Sequence, residues 1–248
     1  MAKAVEIIYG FHPVQEALRA GRRRFENIII AEDLDSNRAR QLAEEAALRH
    51  THVERMAPGQ LRALTRSDYP QAVAARVSAY PYVSLNAIIA HCGQRPAFIV
   101  VLDSIVDPQN LGALIRSAHC AGVDGVVIAK DRAAGASPAV SNISAGALEH
   151  TLVARVTNIA KSINTLKGAG IWIYGLAAHA PQSIYESDWR EPVALVIGSE
   201  QRGLRPLVRK ACDSTVGIPQ QGKIDSLNAS AAGAVAMFEV VRQRRATS

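Results

Sequence analysis

Apolar residues along this chain fall into two kinds of stretch. Short stretches at 7–9, 27–31, 52–56 and 73–77 predict strands, and 27–31 is a β-branched run that reads as buried. Between them the spacing is helical. In 13–20, Val14, Ala17 and Leu18 share a face; Pro13 lies near the start, where a missing N–H costs little, and Gly21 is a natural stop. A second helix is predicted over 37–49, with Leu42, Ala46 and Arg49 on one face and Ser36 or Asp35 as cap, and a third over 58–64. This alternation predicts a small α/β module over residues 1–78.

Residues 79–95, with Tyr80, Pro81, Tyr82 and a helix-like stretch at 85–90, read as a linker. From 96 to 248 the pattern changes. Strand-like runs at 97–102, 125–129, 171–176, 193–197 and 214–218 are continuously apolar or β-branched, as in a parallel sheet covered on both faces. Helical patterns lie at 110–121, 159–167 and 204–211, and a long helix over 226–242 closes the chain. The expectation is an α/β domain with a parallel sheet, preceded by a smaller α/β domain.

Composition adds a partner class. The chain has 248 residues, 48% of them hydrophobic, so it can bury a sizeable core. Lys and Arg outnumber Asp and Glu by 28 to 22, a net charge of +6 that suits a polyanion. Arg22, Arg23 and Arg24 crowd beside Arg19 and are candidate RNA contacts; Arg242, Arg244 and Arg245 read as a solvated tail. Cys92, Cys120 and Cys212 are far apart, which favours a reducing compartment over a disulfide framework. His50 and His52 lack further ligands, so no metal is expected. The N-terminus has no signal-peptide core, and no apolar run approaches the roughly 20 residues that span a bilayer. The expectation is a cytoplasmic protein without a membrane partner.

Open α/β sheets bind ligands beyond the carboxyl ends of their strands. No Gly-x-Gly-x-x-Gly and no phosphate loop comes after the 97–102 run, which weighs against nicotinamide and nucleotide-hydrolysing enzymes. Three other strand-end segments stand out. In 107–116, Asn110 is placed to cap a helix, Gly112 permits close approach, and Arg116 sits about a turn and a half on. That segment reads as an ordinary capped helix with a solvated arginine, or as a helix N-terminus facing an anion. In 196–204 a buried strand ends in a glycine-bounded loop that holds Glu200. In 218–233 a polar loop leads into a helix that begins with small residues.

The ordered set Asn110-x-Gly112-x-x-x-Arg116, then Ile197-Gly198-Ser199-Glu200-x-x-Gly203-Leu204, then Ile218-Pro219 and Ser226-Leu227-Asn228-x-Ser230, resembles the SpoU (TrmH-like) family of RNA ribose 2′-O-methyltransferases. The resemblance covers 97–242. Residues 9–18 resemble the start of the small RNA-binding domain found in many members. The layout is similar to the RlmB type, which methylates a guanosine in the peptidyl-transferase loop of 23S rRNA. The resemblance implies a trefoil-knotted C-terminal methyltransferase domain, a homodimer, S-adenosylmethionine as cofactor and structured ribosomal RNA as partner. It also implies Asn110, Arg116, Glu200, Ser226 and Asn228 as catalytic residues and Leu176, Gly198, Ile218 and Leu227 around the cofactor, with Arg116 toward RNA beside the Arg22, Arg23 and Arg24 that charge alone singles out.

Two departures stand in these motifs. Gln201 occupies a position where the family usually has glycine, and 69–72 read Tyr-Pro-Gln-Ala where the RlmB type often carries His-Gln-Gly. Arg116 is often given the role of base in the family. A free guanidinium has a pKa above ~12, so binding the adjacent phosphate and stabilising the developing alkoxide suits it better. A tRNA ribose methyltransferase and a non-catalytic RNA-binding protein of the same fold stay open as alternatives.

Overall fold

The computed structural model describes residues 5–66, 72–223 and 226–246. In chain order its elements are β1 (Val5–Tyr9), α1 (Phe11–Ala20), β2 (Phe25–Ala31), α2 (Asn37–Leu48), β3 (Val53–Met56), α3 (Pro58–Thr65), β4 (Val73–Ser78), α4 (Leu85–Cys92), β5 (Phe98–Asp103), α5 (Pro108–Cys120) and β6 (Gly125–Ala129). Next come α6 (Pro138–Ile143), α7 (Ala147–His150), β7 (Val153–Val156), α8 (Ile159–Gly168), β8 (Trp172–Leu176), β9 (Gln182–Ser183), β10 (Val193–Gly198), α9 (Pro206–Ala211), β11 (Ser214–Gly217) and α10 (Ala229–Arg245). Two compact units form. One comprises Met1–Pro81 with Ala136–His150, the other Tyr82–Gly135 with Thr151–Ser248.

In the first unit the sheet order is β1-β4-β2-β3. β2 and β3 run parallel, and β4 is antiparallel to both β1 and β2. The unbroken Ile28-Ile29-Ile30 run is explained by burial on both faces, because successive strand side chains point to opposite sides. Ile28 and Ile30 pack with Val14 and Leu18 of α1 and Leu42 and Ala46 of α2, while Ile29 packs with Leu61 of α3. Helix α1 begins at Phe11, two residues before Pro13, and ends on Gly21 in the left-handed conformation. Ser36 caps α2 by accepting from the Ala39 N–H at 3.2 Å.

Residues 136–150, which the sequence order assigns to the later part of the chain, belong to this first unit. Asn142 donates to the Tyr9 carbonyl at 3.2 Å. Glu149 is buried, and its carboxylate accepts from Arg23 Nε at 2.7 Å, Arg23 Nη2 at 3.1 Å and Ser141 Oγ at 2.7 Å. Arg23 Nη1 also donates to Glu6 at 2.6 Å.

The second unit holds seven strands in the order β7-β6-β5-β10-β8-β11-β9, every pairing parallel. The central strands β5 and β10 are buried along their whole length, which accounts for their continuous apolar runs. Ile88 of α4, Ile163 of α8 and Val208 of α9 pack with Ile99, Val101 and Val196 of the sheet. The second half of the expected linker is therefore α4, a helix with fully buried Ile88, and Val83 just before it bridges to Ala154. Helix α10 packs on α5, and Gly233 makes this approach possible: a Cβ there would run into the Leu114 side chain.

Several element boundaries differ from expectation. Asp107 caps α5, accepting from the Gln109 N–H at 3.0 Å, with Pro108 as the first helical residue; Asn110 lies inside the first turn. α10 starts at Ala229, capped by Asn228, so Ser226 precedes the helix. Arg244 is no solvated tail: it donates to the carbonyls of Trp189, Pro96, Ala97 and Glu191, and burial lowers its pKa. Among the described residues, no helix is long and apolar enough to cross a membrane.

The Arg23–Glu149 pair sets a stability test. Glu149→Ala leaves a buried guanidinium short of its carboxylate and is expected to lower the unfolding free energy of the first unit by about 3–5 kcal/mol. Urea denaturation read by circular dichroism measures it. The paired replacement Arg23→Met with Glu149→Leu, which removes both charges, is expected to recover most of that loss.

Candidate active site

The carboxyl ends of β8, β10 and β11 open into one cleft. Leu176 and Ala177 come from the end of β8, Ile197 and Gly198 from β10, Ile218 from beyond β11, and Ser226, Leu227, Ala229 and Ala232 from the entry to α10. Ser199, Glu200 and Gly203 form its lip. Thus Leu176, Gly198, Ile218, Leu227, Ser226 and Glu200, all singled out from sequence, line the same cleft.

Gly198 shapes that lip. The 199–204 turn folds back so closely that a Cβ on Gly198 would collide with the backbone of Gly203 and Leu204, which cannot swing away as a side chain could. The turn closes on itself through Gly203 N–H to Ser199 O at 2.8 Å, with Gly203 at φ 61°. Its far end is tied down by Asp103, the fully buried last residue of β5. The Asp103 carboxylate accepts from the Arg205 N–H at 2.8 Å and from Arg205 Nε at 2.6 Å. Sequence reading passed over this latch. Its signal was an acid at the end of an apolar strand, where solvent-facing residues are not expected.

Asn228 joins three elements. Its Oδ1 caps α10, accepting from Ser230 N at 2.9 Å and Ser230 Oγ at 2.6 Å. That fixes which way the amide faces, so Nδ2 points outward and donates to Asn110 Oδ1 at 2.9 Å and Glu200 Oε2 at 3.2 Å. The first turn of α5, the turn after β10 and the cap of α10 therefore meet at one polar point on the lip.

A second cleft of about 510 Å³ adjoins the first and shares Ser199, Glu200 and Gly203 with it. Its walls include Ser104, Val106, Asn110, Gln201 and three arginines, Arg132, Arg202 and Arg205. Sequence reading gave Arg132 and Arg202 no role.

Arg116 stands apart. It lies on α5 six residues after Asn110, is exposed and lines neither cleft, and its guanidinium has no hydrogen bond or ion pair among the described residues. The Arg22–Arg24 cluster is not a phosphate-facing row. Arg23 has a fully buried side chain held by two carboxylates, which removes it from the candidate RNA contacts. Arg22 donates to Tyr80 Oη at 3.3 Å and to the Pro81 carbonyl at 3.2 Å. Arg24 is exposed. Residues 69–71, where the RlmB-type motif departs, lie outside the described residues. Burial pushes the Cys92 and Cys212 thiols up to about 11, so neither is a ready nucleophile at neutral pH.

The first cleft fits the cofactor that the motifs imply. Its walls are aliphatic, with the small side chains of Ala177, Ala229 and Ala232 leaving room for a flat ring. Backbone N–H and C=O groups at strand ends can read the edge of such a ring, and the Glu200 carboxylate at the lip complements a cation.

The model of the SpoU rRNA Methylase family matches residues 97–238, and the RNA 2′-O ribose methyltransferase substrate binding model matches 7–83. An uncharacterized tRNA/rRNA methyltransferase of Synechocystis is 40% identical over 98% of this chain, which spans 64% of that relative's length. The 23S rRNA (guanosine-2′-O-)-methyltransferase RlmB of Coxiella burnetii is 36% identical, covering 98% of this chain and 97% of that protein. The crystal structure of the SpoU methyltransferase AviRb from Streptomyces viridochromogenes in complex with AdoMet superposes with a TM-score of 0.83 at 29% identity, over 98% of this chain and 91% of that one. The matched methylase model and the full-length relatives place this chain in the SpoU rRNA methylase family.

Proposed function

We propose that this protein methylates the ribose 2′-hydroxyl of a guanosine in the peptidyl-transferase loop of 23S rRNA, with S-adenosylmethionine held in the first cleft. The observation that carries this reading is the Asn110–Asn228–Glu200 cluster on a lip common to two clefts. One cleft suits the cofactor and the other lies where an acceptor can meet it. The RlmB relative and the substrate-binding match over 7–83 favour ribosomal RNA over transfer RNA. A ribosomal substrate also assigns the reaction to the cytoplasm.

The cofactor supplies a methyl group on a sulfonium whose sulfur departs neutral. The work left to the protein is to present a weakly acidic hydroxyl at the right distance and angle. Asn228 fixes the Glu200 carboxylate and the Asn110 amide relative to α10. Backbone groups of Leu176, Gly198, Ile218 and Leu227 hold the cofactor, and Ser226 lies beside it at the cleft wall. Arg116 binds the phosphate next to the target ribose and stabilises the developing alkoxide, and the proton leaves late.

Arg116 lines neither cleft of its own chain, and α10 exposes Val235 and Phe238 on its surface. Both observations support a homodimer in which a second copy brings Arg116 to the site. The reading includes the trefoil knot that the family resemblance implies.

Incubation with radiolabelled cofactor and either 23S rRNA or tRNA transcripts, with mapping of 2′-O-methyl sites afterwards, tests the reading directly. Label at a 23S guanosine is expected; label confined to tRNA replaces the ribosomal target. Gly198→Ala is expected to weaken cofactor binding by about tenfold or more, since the added methyl forces the lip open; calorimetry reads it. Arg116→Lys keeps the charge and loses the forked geometry, and turnover at saturating RNA is expected to fall about 10- to 100-fold. Co-expressed Arg116→Ala and Gly198→Ala chains, assayed at a S-adenosylmethionine concentration too low to load Gly198→Ala, are expected to recover about a quarter of wild-type activity, because about half of the dimers are mixed and each mixed dimer keeps one complete site. No recovery places Arg116 in its own chain's site.

A further inference from the structure

We propose that the second cleft seats the RNA backbone near the target nucleotide, with Arg132 and Arg202 holding phosphates of that strand beyond the one that Arg116 binds. The proposal rests on the methyl-transfer reading above, and it adds the residues that bind the substrate strand.

The charges in this cleft are unequally spent. Of its three arginines, Arg205 is neutralised by buried Asp103 at 2.6 Å. Arg132 and Arg202 line the same cleft, and neither guanidinium has a hydrogen bond or ion pair among the described residues. The two acids of the cleft are already engaged. Asp107 accepts from the Gln109 N–H at 3.0 Å, and Glu200 accepts from Asn228 at 3.2 Å. What remains toward solvent is two free guanidiniums, the residue type best matched to phosphate oxygens.

The rest of the cleft lining has the right character for a nucleotide. Val106 is 65% exposed there, an apolar side chain left open to a sugar or base face. The volume of about 510 Å³ falls within the range of small-ligand sites. The backbone is also specialised. Ser104 and Arg132 both sit in the left-handed region, at φ 64° and 55°, which residues with side chains seldom adopt and which fixes where each one points. Because Ser199, Glu200 and Gly203 line both clefts, a ribose seated here lies beside the cofactor cleft. A phosphodiester strand is favoured over a lone anion, since the two guanidiniums stand on separate segments, the 130–135 loop and the 199–205 turn.

The test uses the full-length protein and a transcript of the 23S rRNA peptidyl-transferase region. Binding is measured by fluorescence anisotropy across a salt series for wild type, Arg132→Gln, Arg202→Gln, the double variant and Arg202→Lys. Each single glutamine variant is expected to weaken RNA binding several-fold and to flatten the slope of log K against log salt by about 0.7. The double variant is expected to lose about twice that slope, with S-adenosylmethionine affinity by calorimetry kept, and Arg202→Lys to restore most of the slope. A double variant with wild-type RNA affinity and slope overturns the proposal. Should that same variant have lost binding of inorganic phosphate, the cleft is a free-phosphate site. The two readings fail separately. Arginine-dependent binding without any 2′-O-methyl product removes the methyl-transfer reading alone, and full methylation by the double variant with unchanged binding removes this one alone.

Discussion

The close return of the 199–204 turn onto Gly198 is the constraint on which the functional half of this protein rests. A turn that must lie against the end of β10 can do so only if that strand ends without a side chain, and only if something holds the turn down. Asp103 supplies the hold through Arg205, from the strand next door. Both clefts share the lip that results. Were the turn free to lift, the wall of the first cleft would open, and Glu200 would lose its place against Asn228.

The sheet makes this arrangement rigid where it matters. Parallel strands β5 and β10 are buried throughout, so their ends are fixed by a close-packed core. The two clefts are then lined by residues at and just beyond the strand ends, the 199–204 turn and the approach to α10 among them, with Asp103 behind the turn. The helices contribute their beginnings. Asn110 is in the first turn of α5 and Asn228 is the cap of α10. Polar side chains at helix starts serve the backbone and the site together.

Much of this was legible in the sequence because the physics is local. Runs such as Ile28-Ile29-Ile30 and Val193 to Ile197 announce strands buried on both faces, and the three ordered motifs fall at strand ends as the open-sheet rule requires. The misread features depend on partners far away in the chain. The Arg22–Arg24 cluster resembled a phosphate-binding row because Glu149, which occupies Arg23, lies 126 residues on. Arg244 looked like tail until its carbonyl partners, up to 148 residues earlier, were in view. Short elements escaped for another reason. β7 carries an exposed Arg155 in four residues, and α7 has only one turn, too little for a period to register. The start of α5 was misassigned because Asp107 and Asn110 are both good caps, and Pro108 decides for the former.

The first compact unit is built from two separated stretches of chain, and this carries an evolutionary consequence. A recombination that exchanged residues 1–81 for the equivalent region of a relative would strand Glu149 and Ser141 opposite a foreign partner. The front of the gene and a short insert in its middle must therefore be inherited as a matched pair. Drift at Glu6, Arg23, Ser141 or Glu149 is confined to changes that the others can answer.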